Sequence, residues 1–181
     1  GWENCKYLLV CAVEVAKKDQ GDLSVIVMDK NADPLETGKI FVKATACCCK
    51  QKTATGDYTS GTVFEPSFYM DAAEVMKEGE LPVYNWIWFG LYQKQNRIYS
   101  YTYGLTAIGK DEIKILRAKA KPMDVLNFLY KMTYNDWSRS VALHDGETMR
   151  VSKRDKHLIS RREGVALPET QLKIAYYAIK I

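Results

Sequence analysis

Apolar positions along the chain recur with two periods, and the switches between them mark the elements. Cys5 to Val15 is apolar and rich in β-formers, so it reads as a strand. Asp22 to Met28 (DLSVIVM) is a second strand candidate. A helix should follow. Asp33 can cap it, Pro34 fits its first turn, and Glu36 lies three residues after the cap. It should run to about Gln51, with Leu35, Val42, Thr45, Ala46 and Cys49 on one face. Gly56 to Phe64 is a short extended piece with a glycine turn. Pro66 and Ser67 open a second helix, with Phe68, Ala72, Val75 and Met76 turned inward and Gly79 placed to end it.

Leu81 to Ile115 is the most informative stretch, and roughly Val83 to Ala107 within it reads as a hairpin. A loop at Gln95-Asn96, or at Lys94 to Arg97, pairs positions whose numbers sum to 191. Tyr92 then faces Tyr99, Gly90 faces Tyr101, Trp88 faces Tyr103 and Trp86 faces Leu105. Side chains alternate along a strand, so Trp86, Trp88, Tyr92, Tyr99, Tyr101 and Tyr103 form one aromatic wall. Ile87, Phe89, Leu91 and Ile98 occupy the other side, with Ser100, Thr102 and Gly104. Gly90 leaves room for the Tyr101 ring.

Beyond the hairpin, Glu112 to Leu116 is a short strand and Pro122 to Trp137 a helix. Its apolar face holds Val125, Leu126, Leu129, Tyr130 and Met132. Asp145-Gly146 is a turn signal, Lys156 to Arg161 is extended, and Leu172 to Ile179 is the last strand. Strands and helices mix without regular βαβ spacing. The expected fold is α+β: a mostly antiparallel or mixed sheet with about three helices packed on it, in one domain over residues 1–181.

The run Leu81-Pro82, Trp86-Ile87, Tyr101-Thr102-Tyr103-Gly104-Leu105, Ala107-Ile108-Gly109 and Glu112-Ile113 resembles a bacterial domain-of-unknown-function family, number 4261. Gly56-Asp57-Tyr58, Ser60-Gly61 and Val63-Phe64-Glu65-Pro66 are similar to that family's short strand before a helix. Asp145-Gly146-Glu147-Thr148, with Lys156 and a basic strand behind it, is similar to its D-G-D-T turn. Met149-Arg150 departs from the pattern, and Lys17 to Met28 is longer than it. The resemblance runs from about Asp33 to Tyr177. It implies a fold and no catalytic residues.

Composition narrows the function classes. At 181 residues and net charge +4 the chain has no apolar run of the roughly 18 residues a membrane helix needs. No membrane partner is expected. The charge is uneven. Residues 1–81 carry 9 Lys+Arg against 13 Asp+Glu, and the remainder carries 17 against 9. The five cysteines are Cys5, Cys11, Cys47, Cys48 and Cys49, an odd set with three adjacent, which suits a reducing cytoplasm better than a disulfide framework. On a helix the adjacent three fan apart and cannot converge on one metal ion. Neither a metal nor a cofactor is expected. The first residue is Gly1, so a trimmed or processed start is expected.

No phosphate-cradling loop and no G-x-S-x-G are present, and two histidines leave few choices of base. The expected function is therefore non-catalytic: a cytoplasmic protein that binds another protein, with toxin neutralisation or an accessory role as versions of it. The binding residues would be the aromatic wall and the basic run Arg150, Lys153, Arg154, Lys156, Arg161 and Arg162. One alternative is an enzyme with a pocket near the hairpin, using His144, Asp145, His157 and the tyrosines. The other is weak nucleic-acid binding through residues 150–162, disfavoured by the mild overall charge. Partner identity and oligomeric state stay open.

Overall fold

The computed structural model describes residues 21–28, 33–59, 62–138, 143–150, 156–164 and 176–180. The expected strand Cys5–Val15, with Cys5 and Cys11, lies outside them. The chain forms two compact units, residues 1–85 and 86–181.

The first unit holds helix α1 (Pro34–Cys49), a small hairpin of β1 (Asp57–Thr59) and β2 (Thr62–Phe64), and helix α2 (Pro66–Lys77). Asp33 caps α1 as its sequence predicts, accepting from the Leu35 N–H at 3.0 Å. Glu36 does not complete a capping box; it pairs with Lys39 at 2.7 Å instead. Val42, Thr45, Ala46 and Cys49 are the buried face. Cys47 is exposed, Cys48 intermediate and Cys49 buried, the fan that helical geometry requires. Burial, then the nearby Asp57, pushes the Cys49 thiol up, away from reactivity.

Two expectations fail here. The inward face of α2 is set by Tyr69 and Ala72, and Val75 is exposed. Tyr69 is fully buried and meets Phe41, Phe64 and Phe68 edge-on at 6.0–6.2 Å. That ring cluster makes Tyr69, rather than Val75, the buried partner of Ala72 on the helix. Asp22–Met28 is not a strand. Leu23, Ile26 and Met28 are exposed, so the apolar run has no covered face to satisfy among the described residues.

The second unit is built on a mixed sheet ordered β3-β4-β5-β8-β7-β6. Its strands are β3 (Trp88–Lys94), β4 (Arg97–Tyr103), β5 (Glu112–Ala118), β6 (Thr148–Arg150), β7 (Lys156–Arg162) and β8 (Tyr176–Lys180). Neighbours are antiparallel except β5 and β8, which run parallel. The α+β class is therefore the observed one. A short helix α3 (Val83–Trp86) spans the division between the units in sequence, and α4 (Pro122–Ser138) packs on β3, β4 and β5. Ile98, Ser100, Thr102, Ile113, Ile115, Ile159 and Ile179 are among the buried strand positions, with Val125, Leu129 and Met132 of α4 also buried.

The hairpin register is the predicted one. Trp88 pairs with Tyr103, Gly90 with Tyr101, Tyr92 with Tyr99 and Lys94 with Arg97. Gln95 and Asn96 form the turn with φ of 50° and 54°. Two consecutive left-handed residues match the twist of the flanking strands, and neither is the glycine such turns prefer. Replacing the pair by Asn-Gly is expected to raise stability by about 0.5–1 kcal/mol, read from the urea midpoint.

Trp86 departs from the expectation. It ends α3 rather than extending β3, so it has no strand partner in Leu105, which lies in a 3-10 turn over Leu105–Ile108. Gly104 causes the break. Its φ is +125°, and a side chain there would come within 2.5 Å of the Trp86 carbonyl. Trp86 packs instead against Trp137 of α4, with ring centroids 4.5 Å apart.

Candidate functional site

Alternation gives the β3–β4 hairpin two unlike faces. Phe89, Leu91, Ile98, Ser100 and Thr102 share the face that receives α4, where Phe89 meets Tyr130 at 5.8 Å. Trp88, Tyr92, Tyr99, Tyr101 and Tyr103 share the opposite face. Those four tyrosines are half-buried, and Trp88 is 42% exposed. The aromatic wall of the sequence exists without Trp86, and it is a half-exposed surface rather than the buried core of the sheet.

The wall is ordered from within. Tyr92 and Tyr99 stack at 4.9 Å with ring planes 7° apart. Tyr101 tilts against Tyr92 at 6.3 Å, and its ring lies over Gly90 as the pairing predicts. Lys114 of β5 places its ammonium 5.8 Å from the Tyr92 ring centroid. Burial first, then the neighbouring Tyr99, raises the Tyr92 hydroxyl pKa above its ordinary value. Tyr92 therefore stays a neutral hydrogen-bonding group across the physiological range. Lys94 and Arg97 stand opposite each other at the turn end of the same face.

One end of β5 is held by polar contacts that sequence reasoning passed over. Glu112 is 2% exposed. Its carboxylate accepts from the Thr102 hydroxyl at 2.6 Å, the Gly104 N–H at 2.8 Å and the Thr106 N–H at 3.2 Å. The Thr102 hydroxyl in turn accepts the Ile113 N–H at 2.8 Å. Next to it, Lys110 pairs with the buried Asp136 of α4 at 2.9 Å. Burial is the larger influence on Asp136 and raises its carboxyl pKa, against the lowering pull of Lys110. A raised folded pKa means the ionised form costs stability, fully above that pKa, and protonation relieves the cost as pH falls toward the unfolded value near about 3.9. Relative to Asp136→Asn, the wild type should gain stability as pH is lowered through that window, measured as the difference in urea midpoints. The sequence signal for this end was the Asp111-Glu112 doublet, which reads as an ordinary surface pair. Only the fold shows that Asp111 pairs outward and Glu112 inward.

Of the basic run, Arg161 and Arg162 have described side chains. Arg161 is committed to Asp111 through both guanidinium branches, one at 3.2 Å, and its pKa is raised by that partner. Arg162, one residue on, projects to the other side of β7, where its Nε reaches Ser160 at 3.4 Å. Arg150 and Lys156 are backbone partners in β6 and β7. Lys153 and Arg154 lie outside the described residues. The enzymatic candidates have structural occupations. The Asp145 carboxylate accepts the Arg161 N–H at 2.8 Å, and Gly146 donates to Ile159 O at 3.0 Å, so the D-G-E-T segment is a turn stitched to β7. His157 is half-buried against the Phe128 ring at 5.5 Å, and His144 is exposed.

The segment that carries the inner part of the wall, Glu112 and the D-G-E-T turn also carries a match to a known family. Residues 101–175 match the model of the family Domain of unknown function (DUF4261). The DUF4261 match takes in Tyr101 to Leu105, Glu112-Ile113 and Asp145 to Thr148, three of the motifs on which the resemblance rests. Gly56 to Pro66 and Leu81 to Ile87 lie outside it. No curated protein and no solved structure matches the chain. Among the described residues no group of three or more His, Cys, Asp or Glu is placed to hold a metal ion, and no helix is long and apolar enough to cross a membrane.

Proposed function

We propose that this chain is a non-catalytic protein of the bacterial cytoplasm that works by binding another protein, and that the aromatic face of the hairpin is its contact surface. One observation supports the reading above the rest. The face opposite α4 is lined by Trp88, Tyr92, Tyr99, Tyr101 and Tyr103, and these rings are half-exposed on a regular two-stranded scaffold. Rigid tyrosine and tryptophan side chains supply contact area at little entropic cost and dominate the energy of protein interfaces. A contiguous set of them at the surface is unusual without such a use. Asp145 is engaged in its turn and His157 in packing against Phe128, which favours binding over catalysis.

The reading is tested by cross-linking the tagged protein in its native cells and identifying what it holds. Trp88→Ala combined with Tyr99→Ala should lower the affinity of the captured partner at least about 30-fold, roughly 2 kcal/mol, with the fold kept. Equal retention of that partner by the double variant would remove the aromatic face from consideration.

A further inference from the structure

We infer that the partner segment seated on this face is acidic, carrying carboxylates among apolar side chains. The inference rests on the proposed binding role and adds the chemistry of the partner. Lys94 and Arg97 are direct cross-strand partners at the turn end of the aromatic face. Like charges placed opposite each other destabilise a strand pair. Among the described residues neither makes an ion pair that would offset this. Strands β3 to β5 carry Lys94, Arg97, Lys114 and Arg117 against a single carboxylate, and that one, Glu112, is buried and takes its bonds from within. A cationic rim on an aromatic face, with its own acid withdrawn, is complementary to an anionic partner.

Ring geometry selects a protein carboxylate over a nucleic acid. A single-strand platform needs open ring faces on which bases stack. Here Tyr92 and Tyr99 spend ring faces on each other, and Lys114 lies over Tyr92. A stacked pair offers its positive ring edges and hydroxyl groups outward. Those groups suit carboxylates and main-chain carbonyls, not base planes.

The probes are a fluorescein-labelled peptide of alternating glutamate and leucine, the same peptide with lysine for glutamate, and a labelled oligothymidylate, each titrated by anisotropy at low and at moderate salt. The acidic peptide should bind about tenfold or more tightly than either control, and added salt should weaken it. Lys94→Glu and Arg97→Glu should each weaken it about tenfold. Lys94→Glu is the sharper variant, because it exchanges a cross-strand repulsion for an attraction to Arg97. Its urea midpoint should hold or rise while binding falls, an outcome that loss of folding cannot produce. Equal binding of the lysine peptide, tighter binding of the oligothymidylate, or unchanged affinity in both charge reversals would overturn the acidic partner, even where Tyr99→Ala abolishes binding. Unchanged affinity in Tyr99→Ala alongside loss in Lys94→Glu would instead overturn the aromatic reading beneath it.

Discussion

Glu112→Ala is expected to destabilise the second unit by about 3–5 kcal/mol, more than any other single truncation argued for this chain. The carboxylate is 2% exposed and serves as acceptor for the Thr102 hydroxyl and the Gly104 and Thr106 N–H groups. Removing it takes this acceptor from the buried Thr102 hydroxyl and the part-buried Gly104 and Thr106 N–H groups, at about 1–3 kcal/mol for each that water cannot reach. It also frees the 3-10 turn over Leu105–Ile108 from the start of β5. Glu112→Gln separates shape from acceptor capacity. It keeps the side-chain length but replaces one acceptor oxygen with an amide donor, so a smaller loss of about 1–2 kcal/mol is expected. Urea denaturation followed by tryptophan fluorescence reads both, since Trp86 and Trp137 lie in this unit. A loss below about 1 kcal/mol for Glu112→Ala would mean the clamp is not what holds the turn.

The second large effect is at Gly90. A methyl group there would lie 2.1 Å from Cζ of Tyr101 and 2.6 Å from its hydroxyl oxygen. The ring must leave its place over the strand, and Gly90→Ala should cost about 1–3 kcal/mol. The clash is with a side chain and not with backbone, so it can be removed. In a Tyr101→Ala background the Gly90→Ala cost should fall close to zero, a coupling of about 1–3 kcal/mol in a double-mutant cycle. Additive losses would place the Tyr101 ring elsewhere. The same cycle reports on the aromatic face, because a displaced Tyr101 also disturbs its contact with Tyr92.

The hairpin was legible from sequence because one rule governs it. Strand alternation and a two-residue turn fix every partner from Trp88 to Tyr103. The helix starts at Asp33 and Pro66 were legible for a similar local reason, since capping residues and proline act within one turn. What escaped depends on distant parts of the chain. Trp86 leaves the wall because Gly104, 18 positions on, approaches its carbonyl. Tyr69 displaces Val75 from the core because Phe41, Phe64 and Phe68 gather around it. Glu112 looks like a surface acid until three donors from residues 102–106 converge on it. In the basic run, Arg161 and Arg162 face opposite ways as successive residues of a strand do, and Arg161 has its own acid in Asp111.

The aromatic face as a contact surface is the central proposal. Its most direct measurement is site-specific photo-cross-linking in the native cells, with the photoreactive residue placed at Tyr99 in one variant and at Met123, an exposed position on α4, in another. The account predicts one discrete cross-linked protein from position 99, lost when Trp88 is replaced by alanine, and none from position 123. Cross-links to the same protein from 123 and not from 99 would contradict it.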